Sequence, residues 1–446
     1  MSVLDIFKPP PHTKEIQDPK IVKKKYTYWR IRTFYSMYIG YAFFYLSRKS
    51  FTFVMPAMAM SLGLDKSQLG MLGSILSLTY GASKFFSGIM SDRSNPRYFM
   101  AIGLILTGIF NIFFGFASTF VLFAIFWGLN GWFQGWGWPP CGKLLTHWYS
   151  QSERGRWWSI WNTSHNVGGA LIPIFAATLA QAFGWRVAMF GPGIICIFAG
   201  MFLINRLRDT PRSLGLPTIE KYRKDYPTKK HEKSRYQLST KEILLKYVLK
   251  NKYIWILAAS NFFIYVIRQA INDWTLVYLI ETKGYSYIVA GTCVFWFEIG
   301  GFAGSLAAGW GSDFIFKGKR GPVNILFTLG VLVSLYFMWK TPGNLVLVQS
   351  ILVFFIGFFI FGPQMLIGVA AAELSHKKAV GTATGFTGWF GYIGAAMAGG
   401  PLGSMIRKFG WEVFFLILTI CSILALLFLL PLWRAKTNPQ LESDQA

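Results

Sequence analysis

Apolar runs of about 20 residues, each long enough to cross a bilayer as a helix, recur roughly twelve times along the chain with short polar breaks between them. A soluble protein of 446 residues would carry roughly a quarter charged residues; this one carries 14%, with 53% hydrophobic and 18% aromatic. The alternating pattern of a β-barrel is absent. The expected fold is therefore all-α and integral to a membrane, with twelve transmembrane helices. The first thirty residues hold no apolar core of signal-peptide type and read as an uncleaved tail.

A formal charge of +25 would suit nucleic acid if it were spread over one face, but here it is confined to alternate connections. Lysines and arginines gather in KKKYTYWRIR, DRSNPR, SERGR, the segment from Arg206 to Lys252, FKGKRGP, SHKK and WRAK. The connections around Leu64, Ser118, Gly184, Gly284, Gly343 and Gly410 hold one or two at most. By the positive-inside rule the termini and the central connection are expected in the cytoplasm, and a charge so distributed argues against nucleic acid as a partner. The four cysteines, Cys141, Cys196, Cys293 and Cys421, lie in or beside apolar segments without paired or metal-ligand spacing, and read as packing residues.

The chain is repeated once. GIMSDRSNPR is answered by GWGSDFIFKGKR, and FGW at 183–185 recurs at 409–411. The offsets agree: 221 residues from Asp92 to Asp313, 220 from Arg48 to Arg268, and 226 from Gly184 to Gly410. The division expected is a tail over 1–30, a six-helix bundle over 31–206, a cytoplasmic connection over 207–252, a second bundle over 253–434 and a tail over 435–446. Two parallel repeats of this kind place a substrate site between pseudo-symmetric halves.

Arg48 and Arg268 occupy corresponding apolar segments, YAFFYLSRKSF and NFFIYVIRQAINDW. A guanidinium at bilayer depth costs between about 3 and 17 kcal/mol, so each is expected to serve function. Two planar forks facing one cavity suit a divalent oxyanion such as a phosphoryl group. Helical spacing adds donors: Tyr41 and Tyr45 precede Arg48 on its face, Tyr265 stands three before Arg268, Tyr80 and Lys84 are four apart, and Asn162 and His165 three apart. Donors without acceptor-only groups favour an anion over a cation or neutral sugar. Gln134, Trp389 and Tyr392 are the expected sugar contacts.

Lys49 points about 100° away from Arg48 around the helix and is expected to pair with Asp273 or Glu298 as a gating pair, since an unpaired buried charge is costly. Asp92, Arg93, Arg97, Asp313 and Arg320, in the two repeated connections, are expected to form latches that break as the halves rock. Nucleotide-binding loops and metal-ligand clusters are missing, so neither an enzyme nor a cofactor is expected.

These residues resemble the organophosphate:inorganic phosphate antiporters of the major facilitator superfamily. The resemblance runs from about residue 28 to 435, through YLSRKSF, YGASKFFSGIMSDRSNPRYF, FQGWGWPPCGKLLTHWYSQSERG, WNTSHNVGGALIP, RLRDTPRSLGLP, YVIRQAINDW, GWGSDFIFKGKRGP and FGPQMLIGVAAAELSHKKAVGTATGFTGWFGY. Within the family the chain is most similar to the hexose-phosphate branch, through ERGRWWSIWN, ALIPI and KGKRGPVN. The resemblance implies a monomeric carrier that exchanges an external sugar phosphate, glucose 6-phosphate foremost, for internal phosphate. It implies phosphoryl binding at Arg48 and Arg268, helped by Tyr41, Tyr45, Lys84 and His165, and charge pairing of Lys49 with Asp273 and Glu298. A different class stays open beside it: a receptor that binds the same sugar phosphate and signals to a membrane histidine kinase.

Overall fold

A computed structural model describes residues 7–434 apart from 93, 225–244, 246–247, 317–318 and 376–379. Every regular element among the described residues is helical. Six crossings precede the central connection: α1 (Pro19–Leu62), α2 (Lys66–Asp92), α3 (Pro96–Phe116), the pair α4 (Phe120–Gln134) and α5 (Trp138–Trp148), the pair α6 (Gln151–Asn162) and α7 (Ser164–Phe183), and α8 (Trp185–Arg206). Six follow it: α9 (Lys252–Lys283), α10 (Tyr287–Trp310), α11 (Arg320–Lys340), α12 (Val346–Glu373), the pair α13 (Val380–Met397) and α14 (Gly400–Phe409), and α15 (Trp411–Leu429).

Eight of these crossings are long and apolar enough to span on hydropathy alone. The remaining four are α1 and α2, which carry Arg48, Lys49 and Lys84, and the broken pairs α4–α5 and α13–α14. Two of the crossings that fall short, α1 and α2, bring charge into the membrane, as a polar site requires, while α9 with Arg268 and Asp273 and α10 with Glu298 stay apolar enough to span.

Local chemistry sets the helix ends. Asn95 caps α3 by accepting from the Arg97 amide, with Pro96 at the first position, where its missing N–H costs nothing. Asn251 caps α9, and Gly284 closes it at φ 71°, a left-handed conformation that a side chain disfavours. The break between α4 and α5 follows from Pro139 and Pro140, which open α5 without amide donors to continue the ladder of α4. A β-carbon on Gly135 would lie 2.4 Å from Ser83 Oγ, so only glycine lets α2 approach the break so closely. Ser83 Oγ donates to the Trp132 carbonyl and Ser87 Oγ to that of Gly135 at 2.7 Å, pinning α2 there. This fastening fixes Tyr80 and Lys84 on α2 against the end of α4.

The chain divides into two compact units. The first comprises Met1–Phe51, Thr79–Ile172 and Phe183–Arg235. Its α3 and α8 are in close contact through glycines: a β-carbon on Gly108 would meet the Gly193 carbonyl at 2.5 Å, and one on Gly200 the Ala101 carbonyl at 2.9 Å.

The second unit comprises Thr52–Leu78, Pro173–Ala182 and Tyr236–Ala446, so it takes in the end of α1 and the start of α2. That hairpin is tied to second-half helices by Arg407 to Asp65 at 2.8 Å, Lys66 to Glu281 at 2.9 Å and Ser67 to Ser404 at 2.6 Å. Gly300, Gly304 and Gly357 bring α10 and α12 into backbone contact; a β-carbon on Gly304 would fall 1.8 Å from the Phe358 carbonyl. All four cysteines are buried and free, as their sequence context suggested.

Candidate substrate site

Arg48 sits on α1, half-buried, with its guanidinium carbon 4.4 Å from the Tyr45 ring centre and 4.0 Å from that of Tyr80. Two aromatic faces hold the plane of the cation while leaving its edges to make hydrogen bonds. Arg48 Nε donates to Gln134 Oε1 at 3.1 Å. The polarity of that bond is fixed from a distance. The Thr107 carbonyl can only accept, so it takes Asn130 Nδ2 at 3.0 Å; Asn130 Oδ1 then accepts from Gln134 Nε2 at 3.1 Å, which turns Gln134 Oε1 toward the arginine. Gln134, expected as a sugar contact, uses its side-chain oxygen on Arg48 and its side-chain nitrogen on Asn130, and so orients Arg48.

The other expected residues of this unit pack against Tyr45, Trp161 and Trp138. Tyr41 is buried, its ring centre 5.6 Å from Tyr45 and 4.8 Å from Trp161. His165 is buried, 5.3 Å from Tyr45. Lys84 Nζ lies 5.0 Å from the Trp138 ring centre. Asn162 ends α6 and His165 belongs to α7, so the interruption at Thr163 separates a pair expected on one continuous helix. The adjacent Asn166 is buried as well.

In the second unit, Arg268 lies 5.8 Å from the Tyr265 ring centre and 4.9 Å from that of Phe361 on α12. Tyr392 is brought to the same place, 5.6 Å from Tyr265 edge to face. Trp389 is 41% exposed on α13 and makes no described ring contact with this group. Asp273, one turn beyond Arg268, accepts from Thr52 Oγ1 at 3.2 Å, from Gln269 Nε2 at 2.9 and 2.8 Å and from Asn272 Nδ2 at 2.8 Å. Lys49, Asp273 and Glu298 are all buried, at 5%, 8% and 1% exposure.

The expected latches are only partly within the described residues. Arg93 and the side chains of Asp92 and Asp313 lie outside them. Arg97 Nε donates to the Ile204 carbonyl at 2.5 Å. Arg320 forms a two-pronged pair with Glu373, Nη2 to Oε1 at 2.9 Å and Nε to both oxygens at 3.2 Å, and also donates to Ser312 at 2.8 Å. Glu373 was absent from the expected latch because it lies 53 residues away with no spacing to mark it. No group of three or more metal ligands occurs among the described residues.

A family model described as the Major Facilitator Superfamily matches residues 37–399. The chain belongs to that superfamily. Within it, this member falls in the organophosphate:phosphate antiporter branch, as the sequence resemblance implied, and it is a transporter-family protein without enzymatic function. It is 61% identical over 440 residues to a probable hexose phosphate transport protein of Chlamydia trachomatis, covering 96% of each chain. It is 48% identical to the membrane sensor protein UhpC of Escherichia coli, covering 98% of this chain and 99% of the other. A glycerol-3-phosphate transporter of Bacillus subtilis is 43% identical over 97% of this chain and 98% of its own. Among solved structures, a bacterial homologue of the human lysosomal transporter Spinster matches with a TM-score of 0.66 at 16% identity, over 91% of this chain and 95% of that one. That likeness carries the fold: a multi-pass, all-helical major facilitator.

The Gln134 geometry makes a prediction for this superfamily member. Gln134→Glu keeps the shape but places a carboxylate against Arg48 Nε, where an ion pair would compete with an incoming anion. Anion affinity is expected to fall by about tenfold or more, the worth of roughly 1.4 kcal/mol, whereas Gln134→Met should lose less. Inhibition of transport by inorganic phosphate, measured for both variants, checks the order.

Proposed function

We propose that the chain is a secondary carrier that exchanges an external sugar phosphate, glucose 6-phosphate foremost, for internal inorganic phosphate, in a bacterial inner membrane with both termini in the cytoplasm. The observation that carries this reading is the Arg48 cage: a guanidinium stacked against Tyr45 and Tyr80, with Nε donating to Gln134, holds in a fixed plane the fork of donors that suits a phosphoryl group. Arg268 with Tyr265, Phe361 and Tyr392 offers a second cation beside an aromatic surface suited to a sugar ring. Arg48 and Arg268 are the phosphoryl ligands in this proposal, with Lys84 and His165 as auxiliary donors. Lys49, Asp273 and Glu298 balance the buried charge.

The hexose phosphate name of the relative at 61% identity, against the glycerol-3-phosphate name at 43%, supports a hexose phosphate as cargo. Glucose 6-phosphate should therefore inhibit phosphate exchange in proteoliposomes at a concentration at least about tenfold below that needed for glycerol 3-phosphate, a difference of about 1.4 kcal/mol. Equal inhibition by the two would remove the hexose from the proposal.

A second reading is favoured by the 48% identity to a membrane sensor over nearly the whole chain. In it, the same pocket binds glucose 6-phosphate and reports to a membrane histidine kinase. Saturable binding of glucose 6-phosphate by the purified protein, with no uptake into phosphate-loaded proteoliposomes, would select that reading.

A further inference from the structure

Three arginines from separate parts of the first unit converge at the end of α8 on the side of the membrane that carries the N-terminus. Trp29 lies between two of them, its ring centre 4.9 Å from the Arg32 guanidinium carbon and 4.8 Å from that of Arg208. Arg97 joins them from the start of α3, its guanidinium 4.9 Å from the Tyr98 ring centre. Their hydrogen bonds go to one helix end and a phenol. Arg32 Nη2 donates to the Asn205 carbonyl and Oδ1, both at 3.1 Å, and Arg32 Nη1 to Tyr28. Arg97 Nε donates to the Ile204 carbonyl, and Arg208 Nη1 to those of Asn205 and Leu207.

Helix capping alone does not balance this group. The end of a helix supplies about half a negative charge, against three guanidinium cations, and among the described residues no carboxylate pairs with any of the three. The strain is visible at Arg208, whose pKa is lowered first by burial and then by the neighbouring charges of Arg97 and Arg32. Arg32 Nε is buried and has no partner among the described residues.

The surroundings indicate a ligand that would supply negative charge to this group. On α8, Ile194, Phe198 and Met201 are 46%, 66% and 53% exposed, at i, i+4 and i+7, forming an apolar stripe on a membrane-crossing helix that leads straight to Asn205. On α1, Tyr28 and Ile31 are exposed beside Arg32. A cationic cluster with aromatic flanks at the head of a lipid-facing stripe has the layout of a headgroup site.

We propose that Arg32, Arg97 and Arg208, with Trp29 between two of them, bind the phosphate of an anionic phospholipid at the membrane surface, its acyl chains lying along the Ile194–Phe198–Met201 stripe of α8. The chemistry recognised is a phosphate ester, and a free phosphate ion shares it, so the test separates the two sources.

The full-length protein in detergent would be titrated with phosphatidylglycerol or phosphatidylcholine and the bound lipid counted by native mass spectrometry, with and without inorganic phosphate. The wild type should hold phosphatidylglycerol about tenfold more tightly than phosphatidylcholine. Arg32→Gln/Arg208→Gln should lose that preference, and Lys221→Gln, at an exposed residue paired with Glu15, should keep it. Arg32→Lys/Arg208→Lys, which retains the charge, should keep most of it, and serves as the test of folding together with the thermal unfolding temperature of each variant. If the double glutamine variant does not fold, Arg97→Gln is read by the same standard. Equal retention of phosphatidylglycerol by wild type and the folded glutamine variant would overturn the proposal. So would displacement of the lipid by millimolar inorganic phosphate, which would assign the cluster to the free ion.

Discussion

Arg48→Lys and Arg268→Lys are each expected to abolish exchange of inorganic phosphate, although both keep the positive charge. Arginine presents two parallel donors in a rigid plane, and at position 48 that plane is held by Tyr45 and Tyr80 at 4.4 and 4.0 Å, with Gln134 fixing its rotation. A lysine ammonium is a point charge on a flexible stem; it can neither stack in the same way nor take Gln134 and two phosphoryl oxygens in one plane. Losing both charge-assisted hydrogen bonds of the fork, at about 1.5–3 kcal/mol each, lowers the rate by at least about a hundredfold, since each 1.4 kcal/mol is a factor of ten. The measurement is phosphate self-exchange in proteoliposomes at matched protein content. Near-native exchange by either folded variant would refute the role of the forks.

Much of this site was legible in the sequence because local spacing carries it. Tyr45 and Arg48, or Tyr265 and Arg268, are neighbours on one helix face, so a repeat of 3.6 residues predicts their meeting. Arg48 and Arg268 were legible because the bilayer makes a lone guanidinium in an apolar run conspicuous. What could not be read was set by packing between distant segments. Phe361 looks like any lipid-facing phenylalanine until α12 brings it to Arg268. The chain from the Thr107 carbonyl through Asn130 to Gln134 links α3 to α4, and nothing in the spacing of those residues says that the amide turns toward α1. The convergence of Arg32, Arg97 and Arg208 was equally hidden, since in sequence they are three separate contributions to a positive bias.

The duplication had a similar limit. It fixed where the chain repeats but not how far each repeat holds together as a compact body, and residues Thr52–Leu78 pack with second-half helices through Arg407, Glu281 and Ser404. One glycine-lined approach, Gly70 to Gly399, shows why: a β-carbon on Gly70 would sit 2.4 Å from the Gly399 carbonyl, a contact that hydropathy does not encode.

The second large effect expected of the proposed exchanger is a strong dependence of uptake on internal phosphate. In the proposed site, Arg48, Lys49, Lys84 and Arg268 against Asp273 and Glu298 leave a net positive charge of two. Moving an empty site through a water-poor state would desolvate those charges at several kcal/mol each, whereas a bound dianion cancels them and lets the conformations interchange. Net movement should therefore be slow and exchange fast. The decisive measurement is the initial rate of labelled glucose 6-phosphate uptake into proteoliposomes loaded with phosphate, with sulfate, or with buffer alone. The account predicts rapid uptake with internal phosphate and a rate at least about a hundredfold lower with buffer alone, the consequence of an added barrier of about 2.8 kcal/mol or more. Rapid uptake into buffer-loaded vesicles, or uptake that follows an imposed proton gradient whatever lies inside, would contradict it.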